Sequence, residues 1–300
     1  MKAAQFSEYG DAAVLKIVDT EEPHAGPGQI RIAVRTAGVN AIDWKLRAGH
    51  MRETMPLKLP AGSGGDAAGV IDEVGPGVEG VAIGDSVFGS GSATYAEHAL
   101  LDSWARKPEG LSFAEAAGYP IPVETAIRIL DAVGVGDGDT VLVSGAAGGV
   151  GSAAVQFARE RGATVIGTAS EGNHDYLRSL GAIPTTYGHG LVERVRALGP
   201  DGVDAALDIA GSGVIPDLIE LTGDANRVIS IADFSAGQHG AQVSGTPKNR
   251  PRAFAEAAPL FEAGKLTLPV ARAYKLHEAH AAHADSERGH VAGRTIIEVA

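Results

Sequence analysis

The sequence predicts an α/β protein in which a doubly wound parallel sheet is joined to a second, mainly β region. Three observations point there. From about residue 140 onward, short apolar runs alternate with stretches of helical period, the rhythm of βαβ units. Residues 1–120 instead hold short alternating segments, punctuated by Gly or Pro every 8–15 residues. Between the two textures a continuous apolar run, TVLVS at 140–144, leads straight into a glycine-rich turn and a helix.

In the first region, 29–36 (QIRIAVRT), 69–74 (GVIDEV) and 85–88 (DSVF) read as strands of a compact, mainly antiparallel structure. Near residue 120 a short helix is expected over 114–117, broken by Pro120 and Pro122, with a further helix over 123–132. The run 140–144 is a strand buried on both faces, 151–161 a helix and 164–167 (TVIG) the next strand. Helices follow over 175–180 and 191–198, and strands over 203–209 and 227–231. Beyond about residue 253 the chain is helical again, over 254–263 and 279–285, and ends in a strand at 294–299. No internal repeat interrupts this order.

The 300 residues suffice for one large domain or two ordinary ones. A formal net charge of −12, with no long Lys/Arg run, argues against nucleic acid and anionic membrane as partners. There is no apolar stretch of about 18 residues, and the N-terminus MKAAQFSEYG has no apolar signal region, so a cytoplasmic location is expected. The chain has no cysteine, which excludes disulfides, thiol nucleophiles and Cys-ligated zinc or iron–sulfur sites.

The strongest local signal is the run Gly145, Ala146, Ala147, Gly148, Gly149, Val150 and Gly151. Small residues permit a tight turn and let the backbone approach a pyrophosphate. The helix N-terminus adds unpaired N–H groups and the positive end of its dipole. Ala147 stands near the first glycine position of the strict G-x-G-x-x-G pattern, but the strand–turn–helix setting identifies a dinucleotide site. A second cluster, Gly62-Ser63-Gly64-Gly65-Asp66-Ala67, has no convincing strand before it and no long helix after it, and reads as a loop. NADPH is favoured over NADH. The second strand ends in Thr168, Ala169 and Ser170 with no acid at its tip, and Glu171 comes late. Ser170, Asn173 and His174 can accept a 2′-phosphate by hydrogen bonds, with Arg178 further along; helix capping at the surface is the alternative for Asn173 and His174.

Several spaced segments then fit one family. AGVNAIDWKLRAG (37–49), PAGSGGDAAGVIDEVGPGVEG (60–80), GDSVFG (84–89), TYAEHAL (94–100) and AGYPIPVETA (117–126) precede the glycine-loop segment 144–170. LGA (180–182) and GHVAGRTIIEV (289–299) follow it. In order and spacing they resemble the zeta-crystallin-like quinone oxidoreductase branch of the medium-chain dehydrogenase/reductase superfamily, over nearly the whole chain. The resemblance implies a GroES-like catalytic domain over 1–122, completed by 255–300, and a Rossmann domain over 123–254. It also implies a homodimer. Zinc-dependent relatives carry a cysteine ligand where this chain has Asn40 and a histidine ligand where it has Gly65, so no metal is expected. His277, His280 and His283 read as a solvated helix face rather than a metal site.

Without a Lewis acid an unactivated ketone is a poor hydride acceptor, so the substrate must be activated already. A quinone or enone fits, because hydride addition leaves delocalised charge that hydrogen-bond donors can stabilise. By the resemblance Asn40 faces the substrate near the nicotinamide, with Asp43, Trp44 and Lys45 beside it on a loop over 40–47. Relatives often have a tyrosine where this chain has Trp44, which serves as a pocket wall or a core residue. Salt bridging within the loop is the alternative for Asp43 and Arg47. Thr125 matches the position that contacts the nicotinamide end, or caps its helix. Ala210 and Gly211, then Ser230 and Ile231, stand at strand tips whose backbone can hold the nicotinamide amide. Tyr187 resembles the family's adenine-side tyrosine, or is a surface residue. The polar, Gly-rich loop 232–252 is expected to border the pocket. The expected activity is thus NADPH-dependent reduction of quinones or α,β-unsaturated carbonyls. The alternatives are a non-catalytic NADPH-binding or sensing protein, and a reductase of thioester-bound enoyl groups.

Overall fold

The computed structural model describes every residue except Lys248, His290 and Ala300. Three parts of the sequence reading therefore lie partly outside the described residues: loop 232–252 at Lys248, segment 289–299 at His290, and the C-terminal domain segment at Ala300.

The chain opens with strands β1 (Lys2–Phe6), β2 (Lys16–Asp19) and β3 (Ile30–Val39) and helix α1 (Ala41–Arg47). Strands β4 (Ala61–Gly62), β5 (Asp66–Val74), β6 (Ser86–Ser92) and β7 (His98–Arg106) precede helices α2 (Phe113–Ala116) and α3 (Pro120–Ala132). There follow β8 (Thr140–Ser144), α4 (Gly149–Glu160), β9 (Thr164–Thr168), α5 (His174–Ser179), β10 (Ile183–Thr185) and α6 (Leu191–Leu198). Next come β11 (Ala205–Asp208), α7 (Ile215–Thr222), β12 (Val228–Ser230) and β13 (Gln242–Val243). The chain closes with α8 (Arg250–Glu262), β14 (Val270–Lys275), α9 (Ala279–Arg288) and β15 (Arg294–Glu298).

Two compact units result. The first holds Met1–Ile121, Arg250–Gly264 and Leu268–Ala300, and the second Pro122–Asn249 and Lys265–Thr267.

The second unit is built on a six-stranded sheet in the order β10-β9-β8-β11-β12-β13, parallel throughout. Numbered from β8, that order is 3-2-1-4-5-6, the Rossmann arrangement. The strand order reverses between β8 and β11, and such a switch point opens a binding crevice beyond the strand tips. Leu142, Ile166, Leu191, Val195, Ala206, Leu218 and Val228 pack the core on one face of this sheet.

The first unit is GroES-like. A six-stranded sheet runs β14-β15-β3-β5-β6-β7, antiparallel except for β14 on β15, and β3 also pairs with β7. A three-stranded sheet, β2-β1-β4, lies in the same unit. One core gathers Ile30, Ile32, Val34, Ile71, Val87 and Leu101. Another gathers Phe6, Leu15, Val39, Tyr95, Ala282 and Ile297.

Several local expectations are corrected. Residues 41–47 form helix α1, not a loop: Asn40 is extended (φ −123°, ψ 153°) and the Asp43 carboxylate accepts the Asn40 N–H at 2.8 Å, which starts the helix. Pro120 and Pro122 open α3 instead of only ending α2, because the N–H groups they lack have no partner in a first helical turn. The cluster 62–67 is not all loop, since Gly62 ends β4 and Asp66 begins β5. Loop 232–252 contains a 3₁₀ turn (Phe234–His239), β13 and the first turn of α8. Among the described residues no helix is long and apolar enough to cross a membrane.

Candidate functional site

In the second unit the tip of β8 enters the glycine loop. Gly145 has φ +83°, a conformation L side chains rarely adopt. A Cβ on Gly151 would lie 2.2 Å from the Gly145 carbonyl oxygen, so the first turn of α4 sits directly against the loop backbone. Gly148 is the N-cap of α4 and contributes no side-chain cap, which leaves the first-turn N–H groups at Gly149, Val150 and Gly151 for a ligand. Thr168 at the tip of β9 anchors the loop: its Oγ1 accepts the Gly145 N–H at 3.1 Å and its carbonyl the Ala146 N–H at 3.0 Å. Ser152 donates to the Ala147 carbonyl at 3.2 Å. Ala146 and Ala147 are buried beneath. The cradle fits a pyrophosphate, which needs bare backbone and a helix N-terminus and no side chain in the way.

Beyond β9, Ser170 precedes a 3₁₀ turn (Glu171–Asn173), and Asn173 Nδ2 donates to Ser170 Oγ at 3.2 Å. His174 starts α5, with its Nε2 buried and without a hydrogen-bond partner among the described residues. Arg178 pairs with Asp175 at 2.6 Å. Tyr187 is 51% exposed. Thr125 lies well inside α3, nearly buried, and so does not cap that helix. Ala210 and Gly211 follow β11, Ser230 ends β12 and Ile231 follows it. Ala210 and Gly211 are exposed, while Ser230 is fully buried.

In the first unit Asn40 sits in a buried polar cluster. Its Nδ2 donates to Asp66 Oδ2 at 2.9 Å, and its Oδ1 accepts Arg294 Nη2 at 2.9 Å. Asp66 also accepts the Ile121 N–H at 3.0 Å and the Ser90 hydroxyl at 3.2 Å. Asp43 is buried beside them and accepts the Tyr95 hydroxyl at 2.8 Å. Burial pushes the Asp43 carboxyl up to about 7, against the Asn40 and Tyr95 hydrogen bonds that favour its charge. Burial likewise pushes Asp66 up to about 6, opposed by the Ile121 N–H and the Arg294 cation. Trp44 and Lys45 follow Asp43 on α1. Trp44 is half-buried, edge-on to His50 with centroids 5.4 Å apart, and Lys45 Nζ lies 5.9 Å from its ring.

Arg47 does not bridge to Asp43. It is fully buried and pairs with Glu287 at 3.0 Å. His283 corrects the reading of a solvated histidine face: only His277 and His280 are exposed. The His283 ring is fully buried, 3.3 Å from Ser63 Oγ and edge-on to Tyr95, because the 279–288 helix turns that position into the core. Burial and the nearby Arg47 cation press it down to about 3.

The residues at the position of a catalytic zinc do not fit one. Both ends of the Asn40 carboxamide are engaged, Gly65 has no side chain, and a buried guanidinium, Arg294, points at Asn40. Among the described residues no group of three or more His, Cys, Asp or Glu could hold a metal. Asp66, Tyr95, Arg294 and Asp208 have no functional role in the sequence reading, which places Asp66 in a loop. Their one signal is a polar residue ending or opening an apolar run, as in VDAALDI and RTIIEV.

A Rossmann sheet with a glycine loop and a GroES-like β unit, both in one chain, define the medium-chain dehydrogenase/reductase class. Two family models match: the alcohol dehydrogenase GroES-like domain over residues 26–117 and the zinc-binding dehydrogenase over 180–297. Human quinone oxidoreductase is 33% identical over 77% of this chain and 73% of its own length. The solved quinone oxidoreductase of Coxiella burnetii superposes with a TM-score of 0.87 at 33% identity, covering 100% of this chain and 99% of that one. A mycobacterial protein solved in complex with NADPH gives 0.87 at 27% identity, with 100% of each chain covered. The chain also matches two Streptomyces polyketide synthases at 35% and 37% identity, but spans only 12% and 7% of their lengths, and 58% of a tomato 2-methylene-furan-3-one reductase. The chain belongs to the quinone oxidoreductase branch of the medium-chain dehydrogenase/reductase superfamily.

Proposed function

We propose that this chain is an NADPH-dependent, metal-independent reductase of activated acceptors, namely quinones or α,β-unsaturated carbonyls. The observation that carries the reading is the glycine cradle between β8 and α4, where a Cβ at Gly151 would strike the Gly145 carbonyl. When bound there, a reduced nicotinamide supplies the hydride. The α4 N-terminus neutralises pyrophosphate charge, and the exposed Ala210 and Gly211 and the half-buried Ile231 offer backbone to the nicotinamide end, whereas Ser230 is fully buried with its carbonyl accepting the Ser244 N–H at 2.9 Å. Ser170 and Asn173 offer neutral donors to a 2′-phosphate, with no acid at the strand tip to repel it. That favours NADPH over NADH, and the mycobacterial NADPH complex supports the same choice.

Asn40 is the proposed donor to the substrate oxygen. One of its Nδ2 hydrogens goes to Asp66, while Arg294 at its carbonyl oxygen polarises the amide and strengthens the remaining N–H. Such a donor suits an enolate or phenolate, whose charge is already spread. A second reading, reduction of enoyl groups carried as thioesters, is favoured by the matches to polyketide synthases.

The test is NADPH oxidation by chelator-treated protein with a panel of benzoquinone, naphthoquinone, short enones and an enoyl thioester, with NADH as control. Turnover that survives chelation and prefers NADPH is expected. Tight NADPH binding without turnover on any acceptor would point to a binding or sensing protein. Activity lost on chelation and restored by zinc would overturn metal independence.

A further inference from the structure

One buried carboxylate ties together the strand tips beyond the glycine loop. Asp208 ends β11 and is fully buried, directly beneath the exposed Ala210 and Gly211. Its Oδ1 accepts the Gly211 N–H at 2.9 Å, and its Oδ2 accepts the Ser230 hydroxyl at 2.7 Å. Ser230 Oγ in turn accepts the N–H of Ala232 at 3.1 Å and of Asp233 at 2.8 Å. The hydroxyl thus spends its proton on Asp208 and both lone pairs on the turn after β12.

The backbone around this latch has no slack. Gly211 has φ +70°, and a Cβ on it would lie 2.7 Å from the Ala232 Cβ. A Cβ on Gly145 would lie 3.2 Å from both the Cβ and the nitrogen of Ala210. The glycine loop therefore rests on the β11 tip, and the β11 tip on the β12 tip, with no flexible side chain between them. A shift at one tip passes to the next.

We infer that Asp208 is a positioning residue. It fixes the tips of β11 and β12 as a rigid backbone platform for the nicotinamide half of the cofactor, in register with the loop that holds the pyrophosphate. The inference rests on the dinucleotide reading above. Asparagine cannot replace the carboxylate. It keeps an acceptor for Gly211, but turns an N–H toward a hydroxyl whose lone pairs are already taken.

The experiment is a fluorescence titration of wild type, Asp208→Asn and Ser230→Ala with NADPH and with 2′,5′-ADP, which carries the adenosine end alone. Both variants are expected to weaken NADPH by at least about tenfold, the scale of a lost charge-assisted hydrogen bond, and to leave 2′,5′-ADP affinity unchanged. At saturating NADPH, kcat falls as well. Equal losses for both ligands would mean general damage to the sheet and overturn the inference, as would unchanged NADPH affinity. Ser230→Ala keeps the test alive if Asp208→Asn does not fold, since it removes the hydroxyl and leaves the carboxylate. Wild-type protein that binds neither ligand would overturn the dinucleotide reading itself.

Discussion

Gly151 and Asn40 are the residues on which the proposed chemistry turns, one in each unit. Gly151 has no room for a methyl group, and the atom in the way is the Gly145 carbonyl oxygen, which cannot swing aside as a side chain could. Gly151→Ala is therefore expected to lower stability by about 1–3 kcal/mol, as overpacking does, and to push the loop off the pyrophosphate path. NADPH affinity should drop more than tenfold, on the order of a misplaced phosphate contact, and a titration with unchanged affinity would count against the cradle. Asn40 poses a different question, because its carboxamide is held from both sides. Removing a donor aimed at a developing oxyanion costs about 10²–10³ in kcat. Asn40→Ala should show a loss of that order with NADPH affinity preserved. A kcat close to wild type would remove Asn40 from the reaction and leave it as a link between Asp66 and Arg294.

At the level of elements, α1, β5 and α9 bring titratable groups into the core of the first unit, and these pull stability in opposite directions. Asp43 rises from 3.8 to about 7 and Asp66 from 3.8 to about 6, so between those values the folded chain holds more protons than the unfolded one. Their contribution to stability is therefore lost as pH rises through that window. His283 falls from 6.5 to about 3, so the folded chain holds fewer protons in between, and its contribution grows as pH rises across that range. Each slope is at most about 1.4 kcal/mol per pH unit per group. Urea melts of His283→Gln should show stability falling more steeply with rising pH between about 4 and 6.5 than in wild type, while Asp43→Asn should shift the slope the other way. Parallel curves for all three proteins would show that neither group is perturbed. The sequence could not have announced this cluster. Burial on both faces writes a continuous apolar run, so β8 is legible residue for residue at 140–144. Edge strands β10 and β13, of three and two residues, are too short to write any pattern. The start of α1 depends on a bond between the Asp43 side chain and the Asn40 backbone. The burial of His283 depends on which face of α9 meets Tyr95 and Ser63, and its spacing from His280 is silent on that. The glycine loop is legible because its shape depends on missing side chains, which sequence records directly. The clamp on Asn40 is not, because Asp66 and Arg294 reach it from residues 26 and 254 positions away.

For the whole molecule, the governing quantity is a net charge of −12 on a protein proposed to bind an anionic cofactor. The dipole of α4 and the loop N–H groups act only within contact range, while the net field reaches about 30 Å at 0.01 M salt and about 10 Å at 0.1 M. Raising ionic strength between those limits should therefore speed NADPH association, by screening repulsion, and leave dissociation nearly unchanged. Stopped-flow fluorescence separates the two rates. The same experiment bears on how the 2′-phosphate is held. Ser170 and Asn173 are neutral, and Arg178 is exposed and engaged with Asp175 at 2.6 Å, so the preference for NADPH over NADH should depend little on salt. Arg178→Ala should then leave that preference intact. If instead association slows with salt and Arg178→Ala erases the preference, Arg178 has left Asp175 to clamp the phosphate. Recognition would then rest on a cation rather than on the neutral donors at the tip of β9.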